Sequence, residues 1–146
     1  MYKITTHSPE ETIEFANKVG SLLKGGDVIA YIGGLGAGKT TFTRGIAVGM
    51  GLPDEVISPT FSLVNEYSGA TNLYHFDMYR INSSDDLETT GFYDYLTDNN
   101  VLAIEWSENI IDALPKNTIF IKLINLNENT RQIEIDGGER FASIGD

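Results

Sequence analysis

The sequence contains no cysteine, which excludes disulfides, thiol catalysis and cysteine-ligated zinc. Histidine is nearly absent: His7 and His75 are the only two, too few for an imidazole-rich metal site. No run approaches the ~18 apolar residues needed to span a membrane. The opening stretch, MYKITTHSPEET, carries one lysine and no apolar core, so it does not read as a secretory signal. The expectation is a cytoplasmic protein without membrane association. Basic residues are also few, 10 Lys and Arg against 21 Asp and Glu, for a net charge of −11. The deficit is local. From Tyr74 to Asp112 there are nine acids and a single base, Arg80. Nucleic-acid binding needs several phosphates neutralised by Lys or Arg, so this stretch repels a polyanion. It serves either as a solvated, solubilising face or as a patch for a basic protein partner.

What is present is the pattern of an α/β protein. At 146 residues the chain is expected to form a single domain, residues 1–146. Residues 2–5 read as a short strand. Ser8, Pro9 and Glu11 predict a helix start, with Ser8 as N-cap and Glu11 completing a capping box. Ile13, Ala16, Val19, Leu22 and Leu23 recur at helical spacing, and Gly25-Gly26 should stop that helix. Val28 to Ile32 is nearly all apolar, as a strand buried on both faces would be. Lys39 to Met50 predicts a second helix, with Phe42, Ile46 and Met50 on one face. Phe61 to Tyr67 and Leu73 to Asp77 read as a hairpin around Ser68-Gly69-Ala70-Thr71. Asp85 with Glu88 fits the cap of a short helix, and Val101 to Glu105 another buried strand. Ile119 to Leu126 and Arg131 to Ile135 fit a C-terminal hairpin. The expected fold is a mixed sheet with a parallel core and antiparallel additions, flanked by helices.

Between the first buried strand and the second helix lies Gly33-Gly34-Leu35-Gly36-Ala37-Gly38-Lys39-Thr40, which fits G-x-x-x-x-G-K-[ST] in its required context. Glycines let the backbone curl round phosphates with its N–H groups inward, and the helix N-terminus adds its positive dipole end. In such a loop Lys39 reaches the β- and γ-phosphates, the Thr40 hydroxyl coordinates magnesium, and Thr41 comes within reach of the α-phosphate. A dinucleotide fingerprint would not need Lys39 beside its last glycine. No N-K-x-D motif follows, which favours adenine over guanine, so the expected ligands are ATP and magnesium.

A P-loop ATPase also needs a carboxylate for magnesium and a group that positions the attacking water. Asp77 and Glu105 each end an apolar run, and ligands in open α/β sheets bind beyond the carboxyl ends of strands. Both are candidates, and the sequence does not choose between them. Trp106, the sole tryptophan, directly follows Glu105. His75 lies two residues before Asp77 and reads as a structural histidine. In Ser58-Pro59-Thr60-Phe61, proline holds Ser58 extended and Thr60 offers a hydroxyl, as the magnesium-binding threonine of a nucleotide switch does.

Four segments, GGLGAGKTTF (Gly33 to Phe42), SPTFSLVNEY (Ser58 to Tyr67), HFDMYR (His75 to Arg80) and IEWSE (Ile104 to Glu108), together resemble the TsaE family, formerly YjeE. These are small bacterial ATPases of the pathway that makes threonylcarbamoyladenosine in tRNA. SPEET and Arg131-Gln132-Ile133 extend the similarity over nearly the whole chain. The resemblance implies a P-loop NTPase-like fold and weak ATPase activity alone. It also implies partners of the TsaB and TsaD type, with tRNA met only through their complex. It implies that Lys39, Thr40 and Thr41 hold phosphates and magnesium and that Asp77 matches the family's magnesium-binding, catalytic acid. Glu105 and Trp106 match its EW pair near the nucleotide, and Thr60 its switch-like threonine. Two positions depart from the pattern. Gly34 stands where the family usually has Asp or Glu, and Ser107 where proline usually follows the EW pair.

A small-molecule kinase shares the P-loop but usually gathers arginines round the transferred phosphate. Here Arg44, Arg80, Arg131 and Arg140 are scattered along the chain. Trp106 offers a direct readout. Adding a non-hydrolysable ATP analogue with magnesium should change the fluorescence of this single tryptophan. No change, with binding confirmed by calorimetry, would assign it to packing instead.

Overall fold

A computed structural model of the chain describes residues 2–32, 38–52, 64–77, 92–105 and 107–142. Seven strands form one sheet: β1 (Tyr2–Thr6), β2 (Val28–Ile32), β3 (Val64–Tyr67), β4 (Asn72–Asp77), β5 (Asn100–Glu105), β6 (Ile119–Asn125) and β7 (Arg131–Asp136). Their spatial order is β1-β7-β6-β2-β5-β4-β3. The four inner strands β6, β2, β5 and β4 are mutually parallel, while β3, β7 and β1 add antiparallel edges. This is the expected mixed sheet. The two groups differ in how they are covered. Residues 28–31 of β2 and 100–104 of β5 are all buried, whereas β7 alternates, with Ile133 and Ile135 inside. Parallel strands lie between two layers, and an antiparallel margin keeps one face wet.

Two helices, α1 (Pro9–Ser21) and α2 (Lys39–Gly49), cover one face. There Phe15, Val19, Phe42 and Ile46 pack on Ile29, Tyr31, Val101, Ala103, Ile121 and Ile133. The Phe42 ring stands edge-on to Tyr31, 6.3 Å between centroids at 88°. The opposite face of β2, β5 and β4 is closed by two 3₁₀ turns, 92–95 and 107–113. Their Phe92 and Ile110 join Val28, Phe76, Leu102 and Ile104 in a second core.

Local signals explain the helix ends, with two corrections. Ser8 Oγ accepts from Glu11 N–H at 3.1 Å, as an N-cap should, but the Glu11 carboxylate accepts from His7 N–H rather than from Ser8. The box therefore closes one residue early. Helix α1 ends at Ser21, not at the glycines. Leu22 and Leu23 continue the apolar face outside the helix and still pack on the core. Both predicted hairpins form, β3–β4 and β6–β7. Residues 61–63 of the predicted third strand, and the Asp85 to Glu88 helix, lie outside the described residues.

The helices touch through glycine. A Cβ at Gly20 would collide with the Ile46 carbonyl, one at Gly49 with the Asn17 carbonyl, and one at Gly45 would come within 2.6 Å of Ala16 Cβ. The backbones therefore approach more closely than any other residue permits. Away from this seam, a buried ion pair closes the far end of the sheet. Arg140 grips Asp27 with two 2.8 Å bonds, while Asp27 also accepts from Lys24 N–H at 2.7 Å. Asp27 is 2% exposed, so the pair ties the end of the chain to the entry of β2.

The seam makes a testable demand. Gly49→Ala forces backbone apart and should cost about 1–3 kcal/mol, the usual range for overpacking. Val48→Ala, at an exposed neighbouring position, should stay within about 0.5 kcal/mol. Urea midpoints of the two variants decide it; equal stability would mean the helices separate freely.

Candidate nucleotide site

Because β2, β4 and β5 are parallel, their carboxyl ends lie at one end of the sheet. From that end of β2 the chain enters the glycine loop, and α2 begins directly after it. Gly38, the helix N-cap, has φ 84°, a left-handed conformation that side chains with a Cβ resist. It turns the chain from the loop into the first turn of α2. Lys39 occupies the first helical position and is 6% exposed. Thr41 is exposed on the same turn.

Beneath this turn lies a buried relay. Thr43 Oγ1 donates to the Lys39 carbonyl at 2.8 Å, spending its only proton. The Tyr31 hydroxyl, 2.7 Å away, is therefore the donor to Thr43 Oγ1. This chain of bonds locks the last turns of β2 to the first turn of α2. Burial pushes the Tyr31 phenol well above its ordinary value of 10.0. A Thr43 hydroxyl able to turn and donate to the phenolate opposes the shift, and the nearby Glu105 carboxylate adds to it.

On the neighbouring strands, Asp77 and Glu105 are register partners, so two acidic positions stand level at adjacent strand ends. Strand parity puts Glu105 on the α2 side of the sheet. The Glu105 carboxylate accepts from His75 Nε2 at 2.6 Å; His75 is 4% and Glu105 17% exposed. Thr40 and Asp77 are located by their backbones alone. Gly33, Gly34, Leu35, Gly36, Ala37, Thr60 and Trp106 lie outside the described residues. The structure thus brings Lys39, Thr40, Thr41, Asp77 and Glu105 to one sheet end.

Two cavities lie near this end, and the larger is not the better candidate. At about 300 Å³ it is lined by Ile32, Phe120, Lys122, Glu134 and Asp136, all on the sheet face away from α2. The smaller, about 140 Å³, opens at the N-terminus of α2 between Gly38, Thr41, Pro9, Thr12, Asn129 and Arg131. The Arg131 guanidinium is braced there by carbonyls of Asn127, Glu128 and Thr130 at 2.9, 3.2 and 3.2 Å.

A family model described as threonylcarbamoyl adenosine biosynthesis protein TsaE matches residues 6–133. The chain belongs to the TsaE family. It is similar to the tRNA threonylcarbamoyladenosine biosynthesis protein TsaE of Bacillus subtilis, 39% identical over 97% of this chain and 90% of that one. The Treponema pallidum protein of the same name is 37% identical over 91% and 98%. The crystal structure of Bacillus subtilis YdiB superposes with a TM-score of 0.76 at 33% identity, over 98% of this chain and 90% of the other. Among the described residues of this TsaE-family chain no helix is long and apolar enough to cross a membrane.

Sequence reasoning named Gly38 and Thr41 of the smaller cavity but missed the side that faces them. Arg131 was legible only as part of a resemblance. Thr12 and Asn129 carry no motif, and they meet α2 only because β1 and β7 pair across the whole length of the chain.

The Tyr31 shift predicts an alkaline weakness. The folded state holds the phenolic proton more tightly than the unfolded chain, so the stabilisation is complete below pH 10 and is lost as pH rises through the folded value. Tyr31→Phe should flatten the fall in stability above about pH 10 by up to about 1.4 kcal/mol per pH unit, the slope of one proton. Urea titrations across that range test it; identical alkaline slopes would show that Tyr31 ionises freely in the fold.

Proposed function

We propose that this TsaE-family chain binds ATP with magnesium and hydrolyses it. It works beside TsaB-like and TsaD-like proteins in making threonylcarbamoyladenosine in tRNA. The observation that carries the reading is the meeting, at one sheet end, of the α2 N-terminus bearing buried Lys39 with the Glu105 carboxylate. The names of the relatives supply the pathway; the local chemistry supplies the reaction class.

In this reading the glycine loop and the first turn of α2 wrap the phosphates with N–H groups, and Lys39 sets a fixed positive charge on the β- and γ-phosphates. The residues present fit magnesium. A hard cation of this kind is usually held by one or two carboxylates and a hydroxyl together with phosphate oxygens. Thr40 with one of the level acids, Asp77 or Glu105, would provide that donor set. When bound, the ion neutralises charge building on the phosphates. Of the two acids, the one not engaged by the ion orients the attacking water. Thr60 responds to the γ-phosphate, and Trp106 lies along the nucleotide. The cavity lined by Arg131, Asn129 and Thr12 takes the base end, since it opens at the same helix N-terminus.

The partner is a protein complex, not RNA alone. The acids from Asp77 to Asp112 repel a phosphate backbone, and complementary charge on a partner mainly raises the rate of association. Gly34, without a carboxylate, leaves the chain slow on its own and dependent on partners.

Lys39→Ala is the test. It removes one preorganised cation from the phosphates and should lower the ATPase rate, with the partner proteins present, by about 10²–10³-fold. Its circular dichroism should match that of the parent. Phosphate release at the parent rate would overturn the site.

A further inference from the structure

The His75–Glu105 contact has a chemistry that core packing does not explain. A carboxylate only accepts, so the proton of the 2.6 Å bond resides on His75 Nε2. In the neutral ring the other nitrogen, Nδ1, is then an acceptor, and it is buried with no hydrogen-bond partner among the described residues. A buried acceptor without a donor destabilises a fold. An apolar side chain would fill the space without that penalty, as Leu73, two residues earlier on the same strand face, does. The register adds a second point. His75 lies level with Ala103 while Asp77 lies level with Glu105, so the ring reaches diagonally forward to the carboxylate instead of packing straight across.

We propose that His75 is a positioning residue for Glu105, holding Oε2 so that Oε1 is the oxygen presented to the ligand end of the sheet. The inference rests on the ATPase reading above. Glu105 has three rotatable bonds and is 17% exposed, so without a fixed partner its carboxylate samples several directions. An imidazole N–H donor on a short, stiff side chain fixes that direction. Partners of this kind, one step removed from the ligand, orient the groups that touch it. The strand segment from His75 to Asp77 therefore carries two roles in three residues, a candidate site acid at Asp77 and a partner for Glu105 at His75.

His75→Leu should keep the fold and bind a fluorescent non-hydrolysable ATP analogue as the parent does, while kcat for ATP falls about 10–100-fold, with little change in KM. His75→Gln, whose amide reaches toward Oε2, should recover most of the rate. His75→Asn, too short to reach, should stay slow. Glu105→Gln should be slow by itself, and adding His75→Leu to it should cost nothing further, since both act through one carboxylate. A folded His75→Leu with the parent kcat, additive losses in the double variant, or equal rates for Gln and Asn would overturn the positioning role while leaving the site intact. If His75→Leu fails to fold by circular dichroism, the comparison of Gln with Asn decides alone. A parent rate in Glu105→Gln would instead remove the reading of the site on which the inference stands.

Discussion

The ligand end of the sheet depends on how closely α1 lies on α2. With Gly20, Gly45 and Gly49 at the contact, backbone meets backbone. That distance fixes the height of α2 above β2, and so the place of Gly38 and Lys39. It also draws the first turn of α1 toward the first turn of α2, and Pro9 and Thr12 then stand opposite Gly38 and Thr41 across a cavity of about 140 Å³. Larger residues at the seam would move both effects together. Dispersion and close packing, not hydrogen bonding, set this geometry, because side chains at native density leave little freedom to slide.

A polar cluster beneath the helix works the other way, through direction instead of volume. Tyr31 on β2, Glu105 on β5, His75 on β4 and Thr43 on α2 all lie on the same face of three parallel strands. Each such group would be costly if unpaired in a dry interior. Paired at every buried side-chain atom described but His75 Nδ1, the cluster gives single orientations to groups that apolar packing would leave free. The Arg140–Asp27 pair plays the same part at the opposite end, where its two parallel bonds fix the chain that follows β7.

The sequence showed the fold where burial is complete and showed the site only in part. Val28 to Ile32 and Val101 to Ile104 are continuous apolar runs because helices and turns cover both their faces, so the central parallel strands could be read directly. Glycines and a lysine in fixed spacing marked the candidate phosphate loop, since no core needs that pattern. Helix α1 seemed longer than it is, because Leu22 and Leu23 keep the apolar period while the backbone has already left the helix. Period reports burial, not hydrogen bonding. The His75–Glu105 bond joins residues 30 apart in the chain, and Arg131 meets Thr12 across more than a hundred. Nothing local encodes such pairs; they exist only once strand order is known.

That strand order has a consequence for the newborn chain. β1 is made first, yet its one neighbour in the sheet is β7, which begins at Arg131. At about 5–20 residues per second, translation leaves β1 unpaired for on the order of ten seconds. β2 waits nearly as long for β6. Until β7 is made the apolar sides of Tyr2 and Ile4 have no strand beside them, and the β2 run has none until β5 follows at Asn100, while α1 and α2 can already close on their glycines. The helical pair can therefore form on the ribosome before the sheet beneath it is complete. The growing chain exposes open strand edges to other chains and to chaperones until β7 has emerged.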